Sequence, residues 1–434
     1  MTGVAVLAVA AACYALLAGR LDRWSIGGPL VFVALGAALC PSFAGVITIH
    51  AQSEPVRVFT ELTLAILLFA DASTVDLRRV EYDARLPGRL LFIGLPLTIG
   101  LGTLIARGVL QHVDWPLAAL VAAILAPTDL ALSLPVVTDP MVPVRVRRLI
   151  NVESGLNDGI CAPFVTFFLA LTVAVEESQG HHLIQEAVKE IAVGVLVACL
   201  VGLVGGWLVM RARRHGWTTE ASEQLLVLSL ALAAYFVALA WHGNGFVSAF
   251  VAGLVFGAAT KGALHAPTEF ADRTGLFMSL LVWAIFGSVF AGPVLALGLH
   301  PRPILFALLS LTVIRMLPVA ISLVGSGLRR DTVAFVGWFG PRGLASVVFT
   351  LLAYDGLREA TLPTAPLVEV AVWTILLSVI LHGLTGRPFS KAYGLRISSA
   401  RPEPLEARSA PEPRVRRRTV GPGSGTDQVT RESE

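Results

Sequence analysis

The chain is short of charge. Asp, Glu, Lys and Arg make up 15% of its 434 residues, and the formal net charge is only +3. A balance so near neutrality, with no basic stretch interleaved with aromatics, gives nucleic acid no footing. Cysteine is scarce as well. Cys13, Cys40, Cys161 and Cys199 all fall inside apolar stretches without paired or metal-like spacing, so neither a disulfide nor a zinc site is expected. The one segment resembling a phosphate loop, Gly421-Pro-Gly-Ser-Gly-Thr426, lacks both the Lys and the preceding strand that such a loop needs. With no soluble catalytic domain, no cofactor is expected, and any transport must draw on an existing gradient.

Apolar residues fill the space that charge leaves. They make up 55% of the chain, and the mean hydropathy is +0.74. Apolar stretches of about 16–25 residues recur along most of the sequence, as membrane-spanning helices require. Thirteen spans are expected, centred near Val9, Leu35, Leu67, Thr98, Leu125, Val165, Ala198, Ala231, Leu254, Ala284, Leu311, Ala345 and Leu376. The arginines set their direction. Odd-numbered connections hold most of the basic residues, among them Arg20, Arg23, Arg145, Arg147, Arg148, Arg329 and Arg330, whereas even-numbered ones hold only Arg57, Arg107, Lys189, Arg302 and Arg358. By the positive-inside rule the N-terminus lies outside and the C-terminus in the cytoplasm. The first span has no basic leader and is followed by Arg20 and Arg23, so it reads as a retained helix. Residues 1–396 form the membrane domain. From Ile397 to Glu434 the chain turns rich in Pro, Gly, Ser, Arg and Glu and reads as a disordered, solubilising tail; Arg414, Arg416, Arg417 and Arg418 are its basic cluster.

Against this background the charges inside the spans stand out. Glu153-Ser154-Gly155-Leu156-Asn157-Asp158 puts two carboxylates, a hydroxyl and a carboxamide into the sixth span. Each charge at membrane depth costs roughly 2.5–3.5 kcal/mol on insertion scales, so it persists where it faces protein or a water-filled cavity and serves a function. On a helix, Ser154 and Asp158 lie one turn apart on one face, and Glu153 and Asn157 on the next. Such oxygens can converge on a small hard cation, and a carboxylate can take a proton in its place.

Two other spans break at corresponding places. Ala126-Pro127-Thr128-Asp129 interrupts the fifth and Gly340-Pro341-Arg342-Gly343 the twelfth. Seven spans apart, the two run in opposite directions, the pattern of inverted repeats with a binding site at the breaks. Carbonyls freed near Thr128 can coordinate a cation, while Asp129 and Arg342 suit the ends of half-helix dipoles. Arg315 in the eleventh span needs a carboxylate or a set of carbonyls. Asp129, Glu153 and Asp158 against Arg315 and Arg342 leave one acid over, which a proton or a monovalent cation can neutralise.

Taken together, Pro127-Thr128-Asp129, Glu153 to Asp158, Arg315 with Pro318, Gly340-Pro-Arg342-Gly343 and Leu381-His-Gly-Leu-Thr385 resemble the monovalent cation:proton antiporter family, in its sodium/proton-exchanger-like, NhaP-type branch. The resemblance implies an all-α polytopic fold of about thirteen spans, built as two six-helix inverted repeats whose discontinuous helices cross near the midplane. It also implies a homodimer, with a mobile core (roughly 89–175 and 303–388) moving as an elevator against a dimerisation part (roughly 1–75 and 223–296). Asp158 matches the family's ion- and proton-carrying aspartate, Asn157 its partner, and Ser154 and Thr128 additional Na⁺ ligands. Glu153 matches the acid that pairs with the eleventh-span arginine, here Arg315. His382 departs from many relatives and reads as a helix-end residue.

Electrostatics indicate a mechanism. Burial penalises the anion of Asp158 and a bound cation favours it, so proton and cation compete for one carboxylate. With Asn at position 157, a single carboxylate switches, and an electroneutral exchange of one cation for one proton is expected in the cell membrane. Na⁺ suits compact hard oxygens, with K⁺ or Li⁺ as the alternatives. Two other classes fit less well: a channel or sensor on the same fold, and an intramembrane aspartyl protease with Asp129 and Asp158 as its dyad.

Overall fold

Long apolar runs, broken by proline, glycine and short polar links, fold as helices because in lipid each backbone group must be bonded within its own segment. The computed structural model describes residues 2–24, 26–46, 49, 53–75, 85–111, 113–177, 183–261, 263–400 and 406. Among them the chain forms α1 (Thr2–Arg23), α2 (Gly28–Leu39), α3 (Glu54–Thr74), α4 (Arg85–Val109), α5 (Trp115–Ile124), α6 (Leu130–Val137), α7 (Val144–Glu177) and α8 (Leu183–Arg214). Then come α9 (Glu220–Ala240), α10 (Gly245–Thr260), α11 (His265–Phe286, prolonged to Leu297), α12 (Pro301–Ser322), α13 (Arg330–Trp338), α14 (Leu344–Glu359) and α15 (Ala365–Ser398). Described residues contain no strand. Seven of these helices are long and apolar enough to cross a membrane, and four shorter apolar helices accompany them. The all-α polytopic fold is therefore as expected. A count of thirteen crossings depends on taking α5 with α6, and α13 with α14, as one broken span each.

The irregularities have local causes. A π turn over Leu90–Gly94 lies just ahead of Pro96 in α4, and another over Gly287–Ala291 lies just ahead of Pro293 in α11. In each case the wider turn takes up the clash of the proline ring with the carbonyl four residues back. α12 breaks at Thr312, whose φ of −112° and ψ of −91° leave the helical region. That break was not expected from the sequence.

Packing divides the helices into two groups. One apolar cluster draws only on α4, α6, α7, α12, α13 and α15 and their links, with Leu90, Ile150, Val319 and Phe339 among its members. Another draws on α3, α8, α9, α10 and α11 and includes Phe69, Ala198, Ala231 and Phe256. A larger cluster joins the two groups. Within the second group α10 lies close on α3: a Cβ on Gly253 or Gly257 would come within 2.4 Å of the carbonyl oxygens of Phe69 and Ser73, the small-residue contact on which membrane helices pack.

The last helix continues past Arg396 into the expected tail. α15 runs to Ser398 with Ile397 buried. Glu406 is buried too, accepting hydrogen bonds from the Arg329 amide and the Thr332 hydroxyl, each at 2.7 Å. The rest of that tail, including Arg414, Arg416, Arg417, Arg418 and Gly421–Thr426, lies outside the described residues.

Candidate ion-binding site

The two proline-containing breaks meet. Between α5 and α6 the chain is non-helical from Leu125 to Asp129, and between α13 and α14 from Phe339 to Gly343. The Asp129 amide donates to the Pro341 carbonyl at 2.8 Å, joining the extended segments. The breaks therefore bring together four helix ends whose backbone groups need partners.

Charge is sorted accordingly. The Asp129 carboxylate accepts from the Leu132 amide at 3.1 Å and from the Leu344 amide at 2.9 Å, so one anion caps the N-termini of both α6 and α14. Arg342 is fully buried. Its Nη1 donates to the carbonyls of Ala126 and Gly340 at 3.3 and 3.2 Å, and its Nη2 to that of Ser310 at 3.4 Å. These oxygens belong to the C-terminal ends of α5 and α13 and to the turn of α12 before Thr312. Acid at the N-termini and base at the C-termini match the dipole argument from sequence. Gly343 makes the arrangement possible, since a Cβ there would stand 1.8 Å from Asp129 Oδ2.

Arg315, three residues beyond the Thr312 break, forms a two-pronged bond with Glu153. Its Nη1 lies 2.5 Å from Oε1 and its Nη2 2.8 Å from Oε2, with both side chains almost wholly buried. Such a fork matches guanidinium to carboxylate geometrically as well as electrically. It is the pairing expected for these two residues.

Glu153 turns one way on α7 and its neighbours turn another. Ser154 Oγ lies 3.0 Å from Thr128 Oγ1, and Asn157 Nδ2 donates to the same Thr128 oxygen at 2.6 Å. Thr128, Ser154 and Asn157 are all buried. Asp158, one turn beyond Ser154, is half-buried. The result is a compact group of neutral hard oxygens beside a carboxylate, with the permanent charges of the crossing bonded around it. Its donor chemistry fits a small monovalent cation. The two oxygens of Asp129 are taken up by backbone amides, unlike those of a proton-sharing aspartyl dyad.

His382 does not end a helix. It lies in the middle of α15, buried, with Nε2 2.8 Å from the Trp338 carbonyl at the end of α13 and Nδ1 2.8 Å from the Ser378 carbonyl. The Ser378 hydroxyl accepts the Arg342 amide at 2.7 Å. Ser310, Ser378 and His382 thus hold the Arg342 segment, and sequence reasoning assigned that role to none of them. The nearest signal was the polar Leu381-His-Gly-Leu-Thr385 inside an apolar run.

Comparison with known proteins agrees with this geometry. Residues 6–392 match the family described as sodium/hydrogen exchanger, transmembrane. A Na(+)/H(+) antiporter of Schizosaccharomyces pombe is 27% identical over 365 residues, covering 74% of this chain and 77% of that protein. The K(+)/H(+) antiporter NhaP2 of Shewanella sp. strain ANA-3 is 25% identical over 390 residues, 87% of this chain but 64% of the relative, so the chain spans a little under two thirds of that protein's length. Among solved structures, the sodium proton antiporter MjNhaP1 from Methanocaldococcus jannaschii at pH 8 superposes with a TM-score of 0.76 at 19% identity, over 88% of this chain and 99% of that one. The crossed helix breaks, the guanidinium–carboxylate fork and a family match across nearly the whole membrane part lead to one assignment: the chain belongs to the sodium/hydrogen exchanger family of monovalent cation:proton antiporters.

Proposed function

We propose that this protein exchanges Na⁺ for H⁺, one for one, by competition at Asp158. The observation that carries the reading is the Thr128–Ser154–Asn157 cluster beside that half-buried carboxylate, at the meeting point of two helix breaks. Protonated or cation-loaded, the site has the same net charge and can move; empty, it holds an anion whose transfer through low dielectric is unfavourable. Coupling follows without a further gate. Asn157 limits the switching groups to one, which makes the cycle electroneutral.

The moving body in this reading is the core of roughly residues 89–175 and 303–388, sliding as an elevator against a homodimeric scaffold of roughly 1–75 and 223–296. Two separate apolar clusters, one in each group of helices, support that division. The N-terminus is placed outside and the C-terminus in the cytoplasm of the cell membrane, on the arginine pattern of the connections. K⁺ is the second candidate cargo, favoured by the similarity to the Shewanella K(+)/H(+) antiporter. Everted vesicles carrying the protein decide between them: Na⁺ should release trapped protons more effectively than K⁺ or Li⁺. Stronger release by K⁺ would reassign the cargo, and no release by any of the three would refute antiport.

A further inference from the structure

The helix that carries Asp158, α7, starts at an arginine-rich end, with Arg145, Arg147 and Arg148 in its first turns, and runs past Asp158 to Glu177. Gly155, Gly159 and Thr166 follow one another along a single face of it, next to the face of Ser154 and Asp158. The surroundings of that face change at the level of Asp158. A Cβ on Gly155 would meet no neighbouring heavy atom within 4 Å. One turn further on, a Cβ on Gly159 would overlap the ring of Phe250, whose Cγ, Cδ1 and Cδ2 are the atoms nearest to it. Two turns beyond that, the Thr166 hydroxyl accepts the side-chain amide of Asn244 at 3.1 Å. Asn244 caps the N-terminus of α10, and Phe250 lies farther along the same helix. Hence α10 runs antiparallel to α7, covering this face from Gly159 onward and leaving it open at Gly155. Phe246, one turn before Phe250, meets Phe349 of α14 edge-on, with ring centroids 5.9 Å apart. All three rings are buried. The helix that bears Phe246 and Phe250 is closely mounted: besides its contact with α3, a Cβ on Gly194 or Gly202 of α8 would stand 2.8 Å from the carbonyl oxygen of Asn244 or Ala252.

We infer that Phe250, seated in the notch of Gly159, is the barrier residue that closes the approach to Asp158 from the end of the molecule away from the arginines, while the approach past Gly155 stays open. The inference rests on the antiport reading above. An aromatic ring laid on helix backbone leaves no oxygen to replace an ion's water, and apolar constrictions of this kind stop ions and water alike. The notch requires glycine, since only a residue without Cβ lets the ring reach the backbone of α7. Phe250 belongs to the helices read as scaffold and Gly159 to those read as core. Sliding of α7 along α10 therefore carries Gly159 off the ring, so the seal and the position of the carrier are tied to each other.

Loss of the ring should uncouple the protein without unfolding it. The full chain is placed in proteoliposomes with an imposed pH gradient, in choline medium, with tetraphenylphosphonium balancing charge. The wild type should hold the gradient until Na⁺ is added. Phe250→Ala should lose it several-fold faster before any Na⁺ is present, and Phe250→Leu, which keeps a smaller apolar plug, should fall between the two. Gly159→Ala should leak as well, because its methyl group lifts Phe250 from its seat. Proton release on Na⁺ addition to purified Phe250→Ala in detergent should match the wild type, since the ring contributes no oxygen to the cation site. Should Phe250→Ala fail to fold, Phe250→Leu reads the same leak. Gradients held as well as by the wild type in the Phe250 variants, or a leak accompanied by loss of that proton release, would overturn the barrier and leave antiport standing. A wild type that keeps its gradient after addition of Na⁺, K⁺ or Li⁺ would overturn antiport itself.

Discussion

Asp129 and Arg342 serve opposite poles of one crossing: the carboxylate caps the N-termini of α6 and α14, and the guanidinium collects the C-terminal carbonyls of α5, α13 and the first half of α12. Neither needs the other as an ion-pair partner, since each is compensated by helix-end dipoles. That frees the crossing from any requirement for charge balance by cargo. The cation site can then be built from neutral oxygens and one acid.

Loss of that acid should abolish exchange. Asp158→Asn is expected to insert, fold and melt like the wild type in detergent but to carry no Na⁺-dependent proton flux. Asp158→Glu keeps the carboxylate a methylene out of place and should retain a small residual rate. Flux in the Asn variant near the wild-type level would remove Asp158 from the carrier role.

The Glu153–Arg315 fork is a structural claim and its test is stability. Removing either charge alone leaves the other buried and unpaired, at a cost of about 3–5 kcal/mol. Glu153→Gln and Arg315→Gln should each lower the melting temperature, and the double variant should regain part of the loss. A double variant no more stable than the worse single one contradicts the pairing.

Gly343 tests the close approach of α14 to Asp129. A methyl group at 1.8 Å from Oδ2 must displace the carboxylate from the Leu344 amide. Gly343→Ala should therefore cost about 1–3 kcal/mol, as overpacked interiors do, and cut the transport rate. Unchanged stability and rate would show that the junction yields freely.

Much of this was legible in the sequence because proline, glycine and buried charge announce themselves. Pro127 and the Gly340–Gly343 segment marked both breaks to within a residue or two, and the charge sorting of Asp129 and Arg342 followed from dipole direction. Thr312 gave no such signal: no proline or glycine stands within four residues of it, and β-branched Thr312 and Val313 disfavour a helix only weakly, yet its dihedral angles leave the helical region. His382 misled because Gly383, Gly386 and Pro388 follow it, yet α15 continues, as helices in membrane bundles tolerate such residues where neighbours supply partners. Trp338 is one neighbour, donating Nε1–H to the Thr385 hydroxyl at 3.0 Å.

Electroneutrality rests on Asn157. With the potential in proteoliposomes clamped by K⁺ and valinomycin, after K⁺ has been excluded as cargo, Na⁺ flux should be nearly independent of voltage. A strong voltage dependence would refute one-for-one exchange. Asn157→Asp places a second acid beside Asp158, where two like charges in low dielectric disfavour each other. Its exchange should fall or shift its pH range without becoming a fast electrogenic cycle.

Competition between cation and proton at one carboxylate is the central claim, and proton release on cation binding tests it most directly. Purified protein in weakly buffered detergent, at a pH low enough for Asp158 to be protonated, is mixed with Na⁺ while the pH is recorded. The wild type should release one proton for each cation bound, the amplitude should vanish as the starting pH rises above the apparent pKa of Asp158, and Asp158→Asn should release none. Na⁺ binding by the wild type with no proton release at any pH, or undiminished release from Asp158→Asn, would contradict the account.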